Sequence, residues 1–154
     1  MNHRLLVGAV LALALILGAA GCVSDGRPSL LPNPDPNLRK TSAELAADAA
    51  KRNYEASAPR GGLADARAQY ELMSRRVDIV NLADADWDRV EVWINHTYVV
   101  FIPAMQKQED KKLDFEMFFD RDGHHLDTDG GKNPIKIVEI FREGKMYAVR
   151  TNME

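Results

Sequence analysis

The densest group of side chains able to hold a metal ion or relay a proton lies in residues 120–129. It comprises Asp120, Asp122, His124, His125, Asp127 and Asp129. Carboxylate oxygens suit calcium, and carboxylates combined with imidazole suit zinc. The opening Asp120-Arg121-Asp122-Gly123 has the alternation of a calcium loop. Such a loop, however, wants oxygen ligands at its first, third and fifth positions, Gly at the sixth and Glu at the twelfth. Here Gly123 stands fourth and Gly131 twelfth. In a strand His124 and His125 would point to opposite faces and would not share one ion. Asp122-Gly123 is itself a strong hairpin-turn dipeptide. The segment is therefore expected to be a solvated turn that holds no metal. The competing reading is a metal-binding or metal-sensing loop built from Asp120, Asp122, His124, Asp127 and Asp129.

Other chemistries find less material. No serine lies in a Gly-x-Ser-x-Gly elbow, and none occurs after Ser74, which excludes a serine triad from the C-terminal half. Every acidic sequence offers carboxylate pairs, and nothing singles out two of them for glycoside hydrolysis. Gly61-Gly62 and Gly130-Gly131 match no phosphate-cradling motif. Trp87 and Trp93 could stack on a sugar or a partner, but Trp93 is better explained as a ring that fills the core. Enzymatic activity and a cofactor are not expected.

Charge narrows the partners. The chain carries 20 basic and 23 acidic side chains. Without residues 1–21 it loses Arg4, leaving 19 basic against 23 acidic and a net charge of −4. Lys111-Lys112 and Arg75-Arg76 are only pairs, so the clustered cations that displace counterions from a nucleic acid are missing. Nucleic-acid binding is not expected. The single cysteine, Cys22, excludes an internal disulfide, so the fold must rest on its core.

Cys22 has a different part to play. Met1-Asn2-His3-Arg4 is short and weakly positive. Thirteen apolar or small residues follow from Leu5 to Leu17, and Gly18-Ala19-Ala20-Gly21 then lead to the cysteine. Charged start, apolar middle and small residues at the cut are the three parts of a secretory signal. A retained spanning helix would need about 20 apolar residues and a flanking charge. The apolar stretch ends at Ala20 without one. Ala19-Ala20-Gly21-Cys22 resembles the lipobox of bacterial lipoproteins, with Ala19 where that family prefers Leu. The resemblance covers the first 22 residues. It implies cleavage between Gly21 and Cys22, a diacylglycerol on the Cys22 thiol, and often an acyl chain on the new amine. One chain binds a membrane reversibly, whereas two or three hold durably, at about 0.8 kcal/mol per buried CH₂. Val23 stands where Asp would imply retention in the inner membrane. In a bacterium with two membranes the resemblance therefore implies the outer membrane, with the protein facing the periplasm.

The rest of the chain must position whatever the protein presents. Residues 22–40 carry Pro28, Pro32, Pro34 and Pro36. Proline pushes its predecessor out of the helical region, so an extended, semi-rigid spacer is expected there. Thr41-Ser42-Ala43-Glu44 has the form of a capping box, and Ala43, Ala47, Ala50 and Tyr54 recur at helical spacing. A helix is expected within residues 41–58, weakly docked because its stripe is mostly alanine. Residues 63–68 read as a helical turn or coil.

From Tyr70 the aromatic content rises and the period changes to two. Val77 and Ile79, then Val90, Val92 and Ile94, then Tyr98, Val100 and Ile102 share faces. Leu113, Phe115, Met117 and Phe119, then Ile135 and Ile137, then Met146 and Ala148 continue the pattern. Asn95-His96, Asp122-Gly123, Gly130-Gly131 and Glu143-Gly144 punctuate it. The expected fold is all-β: a small antiparallel β-sandwich or barrel of about six strands over residues 68–154. The stretch from Asn81 to Asn95, with both tryptophans, is loosely similar to immunoglobulin-like modules of bacterial envelope proteins. That resemblance implies no functional residue. Four parts are thus expected: a signal peptide over 1–21, a lipidated linker over 22–40, the helix, and the β head. The expected function is non-catalytic, binding or structural, toward an envelope protein or the cell wall. An edge strand that pairs with a client protein is a third reading.

Overall fold

A computed structural model describes residues 29–153. The signal segment, its cleavage point and Cys22 lie outside the described residues. Helix α1 (Ser42–Ala49) precedes strands β1 (Arg60–Glu71), β2 (Arg76–Asn81), β3 (Trp87–Ile94) and β4 (Tyr98–Met105). Strands β5 (Asp110–Asp114), β6 (Val138–Arg142) and β7 (Lys145–Met153) follow. The seven strands form one nearly closed, barrel-like sheet in the order β4-β3-β6-β7-β1-β2-β5. The expected all-β class is found. Among the described residues, no helix is long and apolar enough to cross a membrane.

One ladder departs from the expected antiparallel sheet. β1 pairs in parallel with β7, from Arg60 beside Met146 to Tyr70 beside Met153. This ladder also explains the extra strand. Ala64, Ala66 and Ala68 are buried in alternation with exposed Asp65 and Arg67. Alanine is a poor strand former and buries little area, so the period of two was masked where a turn or coil was expected. Close approach fixes the start of β1. A Cβ at Gly61 would collide with the Tyr147 ring, so any other residue there would force that side chain to move.

The capping box forms as its sequence requires. Thr41 Oγ1 accepts from the Glu44 amide at 3.2 Å, and Glu44 Oε2 accepts from the Thr41 amide at 2.8 Å. The helix then stops at Ala49, short of the expected residue 58. Leu45 and Ala49 are its buried anchors. Beyond them Arg52 and Tyr54 are engaged by partners on the sheet, and eight residues of alanine propensity do not resist that pull.

The Pro-rich segment is not a free spacer over its described part. Leu31 donates its amide to the Lys40 carbonyl at 2.9 Å, and Leu38 is buried. Asn33 Nδ2 donates to the Lys112 carbonyl at 2.8 Å, on the outer side of edge strand β5. Asp35 caps a short turn over Pro36–Leu38 and accepts from Lys111 Nζ at 2.5 Å. At the other edge, β4 exchanges backbone hydrogen bonds with Phe119 through Val99 and carries Pro103, which has no amide to offer. Both sheet edges are therefore blunted over part of their length, which weighs against addition of a client strand.

The Asp35–Lys111 contact gives a pH test. Burial raises the Asp35 carboxyl, but hydrogen bonds from Lys111 and Asn37 outweigh it and hold the carboxyl below its ordinary value of 3.8. A carboxyl held low binds fewer protons folded than unfolded. Its stabilisation is complete above the ordinary value, begins to fall away below it, and is lost as pH falls through the lower folded value. Asp35→Asn should therefore cost about 1–3 kcal/mol near neutral pH, leaving buried Lys111 with Glu109 alone. Thermal unfolding of the two proteins at about pH 6 and about pH 3 checks this: the gap should shrink at the lower pH. A gap independent of pH would contradict it.

The core is contiguous and includes Ile79, Ile102, Phe118, Ile140 and Met146. Phe115–Met117 forms a short 3-10 turn where continued strand alternation was expected, and this turns Phe115, Met117 and Phe118 inward together. Trp87 and Trp93 are buried, at 2% and 3% exposure, so neither offers a sugar-stacking surface.

Candidate binding cleft

The densest polar constellation lies where the α1–β1 connection crosses the β3–β6 ladder. Trp93 on β3 and Glu139 on β6 are register partners. Asn95 and His96, both with positive φ, lie in the three-residue turn Asn95–Thr97 from β3 to β4, which the Thr97 amide closes on the Ile94 carbonyl at 3.0 Å. That turn projects His96 beside Glu139. Tyr54 comes from the connection after α1, and Arg60 from the first position of β1.

Glu139 is a carboxylate only 7% exposed, and it is fully occupied. Its Oε1 accepts from Arg60 Nη1 at 2.7 Å, and its Oε2 from the Tyr54 hydroxyl at 2.6 Å. His96 Nε2 lies 3.1 Å from the same Oε2. The Tyr54 ring stacks on His96 with centroids 4.4 Å apart and meets Trp93 edge-on at 5.5 Å. Burial pushes the Tyr54 hydroxyl above its ordinary range, and its hydrogen bond to Glu139 adds to that push. A buried charge is tolerated only with such a full set of donors.

A second carboxylate stands on the same strand as Trp93. Glu91 Oε2 accepts from Trp93 Nε1 at 3.1 Å, and Glu91 Oε1 lies 3.4 Å from Arg52 Nη1. Burial raises the Glu91 carboxyl, against the lowering influence of Trp93 and Arg52. The Arg52 guanidinium lies 4.0 Å over the Phe101 ring. Both carboxylates are thus engaged by neighbouring side chains. They fix side-chain positions.

Beside this clasp opens a cleft of about 340 Å³. Tyr54, His96 and Thr97 line it together with Asp120, Arg121 and Asp122. The 120–129 segment therefore does border a cleft, as a turn. Asp120 Oδ1 accepts from the amides of Asp122 at 3.0 Å and His124 at 2.8 Å, and Gly123 takes φ 86°. Burial raises the Asp120 carboxyl, but these bonds and the His124 ring hold it below its ordinary value.

Of the five candidate ligands, Asp120, Asp122 and His124 offer atoms within 4.8 Å of one another. Asp127 and Asp129 do not join them. Asp127 faces Lys132 at 3.6 Å, and Asp129 pairs with Arg75 at 2.5 Å. His125 turns away toward Phe119, ring centroids 6.3 Å apart, as neighbours in extended chain do.

The clasp residues escaped the reading of the sequence because they are far apart in it; Tyr54 and Glu139 are separated by 85 positions. One signal was present. Glu139 is the lone carboxylate inside the apolar run from Ile137 to Phe141. A charge there needs partners. Compared with family models, with curated proteins and with solved structures, the chain matches none.

Proposed function

We propose that this protein is a lipid-anchored module of the bacterial envelope, with a non-catalytic β head that binds an envelope partner through the Tyr54–His96 cleft. The anchor rests on the order of residues 1–22 and on the lipobox-like Ala19-Ala20-Gly21-Cys22. The observation that carries the binding reading is buried Glu139. A network that holds one carboxylate with Arg60, Tyr54 and His96 provides a rigid wall beside an open cleft. Rigid side chains lose little entropy when a partner docks.

The docked Pro-rich segment sharpens the geometry of the anchor. Only residues 23–29 separate Cys22 from Leu30, where the described backbone first joins a β-bridge. Eight residue steps reach at most about 30 Å when fully extended. The head is therefore held close to the lipid surface, and the long spacer expected over residues 22–40 shrinks to this length.

Photo-crosslinking in cells tests the cleft. A photoreactive side chain at Thr97 or Arg121, both exposed on its rim, should give an adduct of one defined mass. The same group at exposed Leu82, beyond the far end of β2, should give none. Adducts from Leu82 but not from the rim would overturn the cleft as the binding face.

A further inference from the structure

We infer that the tip of the β1–β2 hairpin, Leu72-Met73, is a second membrane contact that inserts into the lipid surface on which Cys22 is anchored; this rests on the lipid-anchor reading above. Met73 is 99% exposed and Leu72 47%, at the first positions of a four-residue turn closed by Arg75 at φ 54°. Scattered exposed apolar residues are ordinary, so exposure alone decides nothing. Position does.

The described chain begins beside this tip. Leu31 and Pro32 line one cavity with Ser74 and Arg75, and neighbouring Leu30 is 55% exposed. The tether that joins Cys22 to Leu30 is at most about 30 Å long, so it holds this same end of the sheet against the lipid. Two apolar side chains would not retain a protein from bulk solution. Once a lipid anchor confines them, their insertion becomes an intramolecular event at high effective concentration, and a weak contact suffices.

The polar groups around the turn are arranged so that the apolar pair leads. Ser74 Oγ donates to Glu71 Oε2 at 2.6 Å. Arg75 is turned onto Asp129 at 2.5 Å, and Arg76 onto Asp78 at 2.6 Å. Each charge flanking the tip already has an opposite charge or a donor, which lowers the cost of bringing the turn to an interface. No basic cluster surrounds it, so the contact is apolar and does not require anionic lipid.

Depth-dependent quenching of the full-length lipidated protein tests this. Ser74→Cys gives a thiol beside an intact Leu72-Met73, since Cys22, the native cysteine, carries the lipid. The thiol is labelled with a polarity-sensitive fluorophore. The protein is then reconstituted in phosphatidylethanolamine–phosphatidylglycerol vesicles whose lipids bear a nitroxide high on the acyl chain. The expected result is quenching at least about twofold stronger than from a label at Leu82→Cys, lost when Met73→Asp is added. Equal quenching at the two sites, or quenching that survives Met73→Asp, would overturn the insertion while leaving the anchor intact. A free Cys22 thiol in the same preparation, seen by mass, would overturn the anchor and the insertion together.

Discussion

Glu139→Ala should lower the stability of the head by about 1–3 kcal/mol and abolish crosslinking from the cleft rim. The buried carboxylate is the common acceptor of Arg60, Tyr54 and His96, three side chains from three separate parts of the chain. Removing it leaves Tyr54 without its main partner and frees the segment after α1 from the sheet. Arg60 and His96 are exposed enough to regain water, which keeps the thermodynamic cost moderate. The cost in shape is larger, because Tyr54 stacks on His96 only while both are held to one oxygen. Glu139→Gln discriminates between lost packing and lost acceptors. The amide fits the space, but its NH₂ would face donors where the carboxylate accepted. The glutamine protein should therefore lose crosslinking as the alanine protein does. Wild-type crosslinking from both variants, with thermal unfolding unchanged, would mean that the network does not organise the cleft.

Cys22→Ala should act on placement and leave the fold untouched. On the lipid-anchored reading, no diacylglycerol is added without the thiol, and a signal of the lipoprotein type is then not cut. The variant should accumulate as the full-length precursor, larger than the mature form by the 21 residues of the signal. Its head should keep the wild-type melting temperature, because no disulfide depends on the thiol and the core is assembled from residues after Leu30. Gel mobility and a melting curve of the two proteins settle both points. Cleaved, membrane-bound alanine protein would show that the anchor lies elsewhere. An unfolded head would show that the fold needs its lipid.

The parts of the fold legible in the sequence are those where local pattern and tertiary structure agree. Val77 and Ile79 in β2, and Val90 and Val92 in β3, are β-branched side chains at period two, and they are buried. Thr41 and Glu44 form their cap because its geometry is entirely local. Where burial depended on distant partners, the sequence was silent or misleading. β1 hides its alternation in Ala64, Ala66 and Ala68, and its parallel partner β7 is the last strand described. α1 ends at Ala49, three residues before Arg52 meets Glu91, 39 positions away from it. The prolines at 32, 34 and 36 read as a spacer, yet Asn33, Asp35 and Leu38 between and after them bind the edge of β5 and the core.

The candidate site divides along the same line. Asp120, Asp122 and His124 lie within five residues, and their convergence around Gly123 was readable as a turn. The clasp beside them was not. Its four members sit at positions 54, 60, 96 and 139, and only the folded sheet brings them together.

The measurement that bears most directly on the lipid-anchored reading is the mass of the N-terminal peptide of the mature protein, isolated from membranes. The expected peptide begins at Cys22 and carries the added mass of a diacylglyceryl group on its sulfur, with or without a further acyl chain on its amine. A peptide that retains residues 1–21, or one that begins at Cys22 with a free thiol, would contradict it.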